Sequence, residues 1–76
     1  MCLGVPGKVI ELKENHRAIV DVNGNRAEIS VRLTPDVKPG QYVLIHAGFA
    51  MEIMDESAAQ ETMQYLLEVL RYAELQ

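Results

Sequence analysis

The stretch AIVDVNGNRAEISVRL, Ala18 to Leu33, decides the fold. Ala18, Val20 and Val22 alternate with Ile19 and Asp21, which is the two-residue period of a strand with one face turned inward. Asn23-Gly24 follows, and both residue types tolerate the positive φ of a type I′ turn. A second alternating run then covers Arg26 to Leu33. Ala27, Ile29, Val31 and Leu33 form its apolar face, and Glu28, Ser30 and Arg32 its wet face. The stretch therefore predicts a β-hairpin over a core.

Strands continue on both sides of it. Upstream, Gly7 to Lys13 reads as a strand in which the adjacent Val9 and Ile10 make the alternation imperfect. A turn at Glu14-Asn15-His16 joins it to the hairpin. Downstream, Thr34-Pro35-Asp36 ends the third strand, because proline lacks the ladder N–H. Lys38-Pro39-Gly40-Gln41 reads as a turn. The continuous apolar run Tyr42-Val43-Leu44-Ile45 suits a strand buried on both faces. Gly48 breaks or bulges the chain after His46, and Phe49 to Met54 forms a fifth strand. Five short strands at this spacing predict a mainly β fold, a small OB-like barrel.

Residues 55–75 change period and read as one helix. Asp55 or Ser57 can cap it, and Ser57 with Gln60 makes a capping-box pattern. Asp55, Glu56 and Glu61 set negative charge at the positive end of its dipole. Ala59, Met63, Leu66, Leu70 and Ala73 share a stripe, with Leu67 beside it and Tyr65, Val69 and Tyr72 widening it. This stripe packs on the barrel. Tyr72 and Leu75 are the parts best placed to receive a partner.

The chain has 76 residues and an apolar fraction of 49%. That predicts a single domain, with residues 1–54 forming an N-terminal arm and barrel and residues 55–75 the helix. A single cysteine excludes an internal disulfide framework and a four-cysteine zinc ribbon. The formal charge is -4 and only 5% of residues are aromatic, which opposes nucleic-acid binding. The acid is concentrated at the end: residues 52–76 carry six acidic groups against Arg71. Gly4, Pro6, Gly7 and Lys8 break the first apolar stretch, so no signal-peptide core is expected. No run approaches the roughly 18 apolar residues of a membrane span. A cytoplasmic protein with a reduced thiol is the expectation.

That thiol is Cys2. Removal of the initiator methionine would place it at the N-terminus, with thiol and α-amine on one carbon. The amine titrates near 7.7–8.0, and its positive charge favours the thiolate. The surrounding Leu3, Gly4, Val5, Pro6 and Gly7 suggest an ordered arm: Pro6 extends Val5, and the glycines allow close approach. His46 ends the apolar run Tyr42–Ile45. A histidine in such a place is commonly a hydrogen-bonded structural side chain; its functional reading is a metal ligand, or a base that helps deprotonate Cys2. One Cys and one His cannot close a structural zinc site, which takes four ligands. They can supply two protein ligands to a metal completed by other molecules. His16, at a turn among charged residues, is assigned no role.

The sequence resembles the HypC/HupF family of NiFe hydrogenase maturation chaperones. The opening Met1-Cys2-Leu3-Gly4-Val5-Pro6-Gly7-Lys8-Val9 matches the family's first signature. Gly40 to Ala50, GQYVLIHAGFA, matches its second, with Gln41 where an acidic residue is common. The acidic helix from Asp55-Glu56 through Glu61-Thr62 to Leu66-Leu67 matches its third, and Ala18, Val20, Asp21, Gly24 and Arg26 also fit.

The resemblance implies an OB-like barrel with a C-terminal helix and a non-catalytic role in assembling the iron site of NiFe hydrogenase. A HypD-type iron–sulfur scaffold protein and the hydrogenase large-subunit precursor are the implied partners. The implied cargo is an iron carrying cyanide and carbon monoxide, bound transiently. By the same resemblance Cys2 is the essential ligand, and His46 assists. Cys2, Leu3, Gly4, Val5 and Pro6 would meet the partner. Thiolate is a suitable donor for low-valent iron with strong-field ligands. The competing readings are a small cysteine-dependent thiol enzyme, with Cys2 as nucleophile and His46 as base, and an OB-type nucleic-acid module.

Overall fold

The computed structural model describes residues 4–75. It contains β1 (Val5–Lys13), β2 (Arg17–Val22), β3 (Asn25–Ser30), β4 (Tyr42–His46), β5 (Phe49–Met54) and α1 (Glu56–Leu75). The strands close a barrel in the order β1-β2-β3-β5-β4. The expected five-strand barrel with a C-terminal helix is the observed fold.

The hairpin that decides the fold forms in register from Arg17↔Ser30 to Val22↔Asn25. Its turn residues Asn23 and Gly24 take φ of 50° and 91°, as a type I′ turn requires. The imperfect alternation at Val9-Ile10 has a structural counterpart. Val9 pairs with Val20 and Glu11 with Ile19, so Ile10 is the extra residue of a bulge. The bulge keeps Val9 in the core while Ile10 is exposed. The core is small and rich in valine: Val9, Val20 and Val43 are fully buried, with Ala18, Ile29, Val31, Val37 and Ala50 around them.

Three expectations are corrected. β1 begins at Val5, two residues before Gly7, because Val5 and Pro6 pair with Ile45 and Leu44 of β4. β3 ends at Ser30 rather than Leu33. The Val31 N–H still donates to the His16 carbonyl in the β2–β3 register, but the Thr34 N–H then closes a turn on the Val31 carbonyl, and Leu33 is 56% exposed. β4 is not buried on both faces: Val43 is fully buried, while Tyr42, Leu44 and Ile45 are half-buried.

At the helix start Asp55 is the cap. Its Oδ1 accepts the Ala58 N–H at 2.7 Å, so Ser57 is not needed there. The helix packs on β1 and β4 through its first half. Ala59 is buried and Met63 and Leu66 are half-buried. Tyr65, Leu67, Val69 and Leu70 are exposed, so among the described side chains the expected stripe packs as far as Leu66. The side chains of Tyr72, Ala73 and Leu75 lie outside the described residues. Among the described residues no helix is long and apolar enough to cross a membrane.

Candidate functional site

His46 is the last residue of β4. Along that strand Val43 points to the core, so Leu44 and His46 fall on alternate faces from it, with His46 on the outer side. It is half-buried and pairs with Phe49 across the hairpin. The loop between them is Ala47-Gly48, with φ of 53° and 83°. Two positive φ values make a two-residue hairpin turn, so Gly48 ends β4 cleanly rather than bulging it. The turn fixes the direction in which β4 delivers the imidazole. Among the described residues no hydrogen bond holds the His46 ring.

The antiparallel pairing of β1 with β4 sets the other half of the site. Val5 lies opposite Ile45 and Pro6 opposite Leu44. The N-terminal end of β1 therefore meets the C-terminal end of β4, and the chain passes Gly4 at the His46 end of the barrel. Gly4 rests on Leu44. A Cβ built on Gly4 would collide with Leu44 Cγ and stand only 2.6 Å from its Cδ1. The absence of a side chain lets the backbone lie flat against β4.

Sequence reasoning placed Cys2, Leu3, Gly4, Val5, Pro6 and His46 in one site. The structure brings Gly4, Val5 and His46 to one end of the barrel. Pro6 is a buried strand residue under the helix, in a groove of about 320 Å³ shared with Tyr42, Ala59 and Met63. Cys2 and Leu3 lie outside the described residues. His16 sits in the β1–β2 turn, at the far end of β1. Nine strand residues separate the two ends by about 26 Å at the usual rise per residue.

Two features were not read from the sequence. One is Leu44 as the shelf for Gly4. The other is the groove beyond it, of about 380 Å³, where Leu44 and Met54 of the barrel face Tyr65 and Leu66 of α1. Both depend on strand register, which no single residue announces.

The electrostatics at this end are mild. The strongest ionic cluster stands elsewhere, where Glu28 accepts from Arg17 Nε at 3.1 Å and from Lys13 Nζ at 3.4 Å. Those contacts, Arg17 first, hold the Glu28 carboxyl below the usual carboxylate range. Among the described residues no group of three or more His, Cys, Asp and Glu side chains is placed to hold a metal ion.

The site thus consists of a strand-end imidazole beside the entry of an N-terminal segment that carries a cysteine. Residues 1–66 match the HupF/HypC family. The chain belongs to the HupF/HypC family. Its relatives include the hydrogenase maturation factor HypC of Synechocystis, 43% identical over 91% of this chain and 97% of the relative. HypC of Azotobacter chroococcum is 39% identical over 97% of this chain and 88% of its own. The hydrogenase maturation factor HybG of Escherichia coli K12 is 42% identical over 87% and 88%. The family match ends at Leu66, which is also the last half-buried residue among the described side chains of α1.

Proposed function

We propose that this HupF/HypC-family chain is a metallochaperone of hydrogenase maturation rather than an enzyme. It carries an iron bearing cyanide and carbon monoxide in company with a HypD-type scaffold protein, and passes it to the hydrogenase large-subunit precursor. The observation that carries the reading is the placement of Gly4 at the His46 end of β4, joined to family membership over residues 1–66. On this reading the segment bearing Cys2, which joins the barrel at Gly4, lies beside the strand-end histidine.

The roles follow from donor chemistry. The Cys2 thiolate is the principal ligand to the iron, a soft donor suited to a low-valent metal. His46 offers a neutral imidazole nitrogen, either to the iron or to the thiol it helps deprotonate. Gly4 holds the arm close to β4, and Leu44 is the surface it rests on. Two protein donors leave the remaining positions to the cargo's own ligands and to the scaffold. A carrier must release what it holds, and so small a donor set favours release over a closed four-ligand cage.

The test is co-purification of the chain with the scaffold protein, followed by measurement of the iron held beyond the scaffold's own iron–sulfur cluster. The wild-type complex should retain this additional iron. Cys2→Ala should lose most of it while the chain still folds. His46→Ala should lose it partly. Iron content and hydrogenase maturation undiminished by Cys2→Ala would show the reading to be wrong.

A further inference from the structure

The barrel closes between β3 and β5 through one residue pair, Ser30↔Phe49, in parallel orientation. The Ser30 N–H also donates to the Gly48 carbonyl at 2.9 Å. β3 ends where β5 begins, so the two strands overlap at a single position. Beyond it, Ala50 to Met54 has no strand on its β3 side among the described residues. No backbone hydrogen bond from residues 31–41 reaches that edge among the described residues either.

The exposure pattern shows the same opening independently. Ile53 pairs directly with Val43, which places both on the core face. Val43 is fully buried, yet Ile53 is 41% exposed. Phe49 and Met51 add exposed apolar surface along β5. The edge lacks the lysine or proline that commonly protects an open strand; its one charge is Glu52. Besides Glu52, the bulge at Met51, between the pairs Leu44↔Glu52 and Ile45↔Ala50, is the protective device on the described edge.

The geometry points to β5 as a strand-addition edge that accepts a short extended segment of another polypeptide. The segment would lie in line with β3, in the space left beyond Val31, where the chain turns away. It would span about 13 Å along Ala50–Met54 at the usual strand rise. Backbone donors and acceptors give the contact, and apolar side chains at alternate positions close the seam over Ile53. Charge selects the occupant. From Glu52 to Leu70 every charged residue is an acid, and Glu52, Asp55 and Glu56 gather at the C-terminal end of β5. Two copies paired antiparallel through Ala50–Met54 would set Glu52 against Glu52. A foreign segment with apolar residues interleaved by lysine or arginine matches both the edge and its charge.

This inference stands apart from the iron-carrying reading, and its test uses neither iron nor Cys2. The probes are two short synthetic peptides of alternating sequence, valine with lysine and valine with glutamate. The readout is amide hydrogen exchange of the full chain by NMR. In the free protein the open-side amides of Ala50–Met54 should exchange without protection. The valine–lysine peptide at millimolar concentration should slow them at least tenfold, and the glutamate peptide should not. Met51→Lys, at an exposed position, should weaken peptide binding at least tenfold while the protein stays folded. Glu52→Gln should narrow the difference between the two peptides. No protection of β5 by either peptide, or equal protection by both, would overturn the inference. So would protection already present in the free protein at a dimeric sedimentation mass, because a second copy would then occupy the edge.

Discussion

Gly4 and His46 are joined by register rather than by sequence distance, and the consequences are local. Gly4→Ala must push Leu44 aside or lift the chain off β4, since the new methyl would overlap the Leu44 side chain. Clashes of this kind cost about 1–3 kcal/mol in well-packed sites. Gly4→Ala should therefore lower the unfolding midpoint and also impair hydrogenase maturation, because it displaces the segment carrying Cys2. A variant that kept both at wild-type level would show that Gly4 does not position the arm. Ala47 holds a left-handed φ of 53° beside His46. Ala47→Gly should stabilise the protein by roughly 0.5–1 kcal/mol in denaturant titration, the relief expected when glycine replaces alanine at positive φ. The sequence made the glycine-flanked arm and the strand-end histidine visible as special. It did not show that Val5 and Pro6 belong to β1, because proline and glycine read locally as breakers, while their pairing with β4 is a long-range fact.

Among the elements, α1 is the clearest case of local signals and tertiary packing diverging. The change of period near Asp55 predicted its start to within a residue, and the Asp55 carboxylate supplies the cap. Asp55→Ala should cost about 1 kcal/mol of stability by thermal or chemical unfolding, the usual worth of such a cap. The apolar stripe, however, is continuous in sequence through Leu70, whereas burial ends near Leu66. Beyond Leu66 the described apolar side chains Leu67, Val69 and Leu70 stay exposed. Leu70→Ser should accordingly leave the stability of the barrel within about 0.5 kcal/mol of wild type, as for other exposed changes. β3 illustrates the opposite error. Its alternation runs on through Val31 and Leu33, but the strand ends at Ser30; Val31 keeps one bond to His16, and the turn closed by Thr34 then carries Leu33 into solvent. A period of two describes which residues are apolar, not which neighbour the backbone finds.

Across the whole molecule, a core of valines and alanines leaves little redundancy. Val43 is fully buried between β1 and β5, and Val43→Ala should cost roughly 1.5–3 kcal/mol through lost contacts and a residual cavity. Far from the site, the exposed pairing of Glu28 with Arg17 and Lys13 ties β3 to β1 and β2. Its carboxyl is held below the unfolded value, so its small contribution is present above the ordinary carboxylate pKa and is lost as pH falls through the lowered one. Glu28→Gln should flatten that part of the stability–pH profile. Among the described residues the grooves are open at the surface, and none is a deep, enclosed pocket. Such a molecule suits a cargo whose coordination is completed by a partner. The central claim is that Cys2 binds an iron bearing cyanide and carbon monoxide while the chain is joined to its scaffold protein. Infrared spectroscopy of that purified complex tests it most directly. Bands of iron-bound cyanide and carbon monoxide should be present with the wild-type chain and absent with Cys2→Ala; both sets of bands persisting in the Cys2→Ala complex would contradict the account.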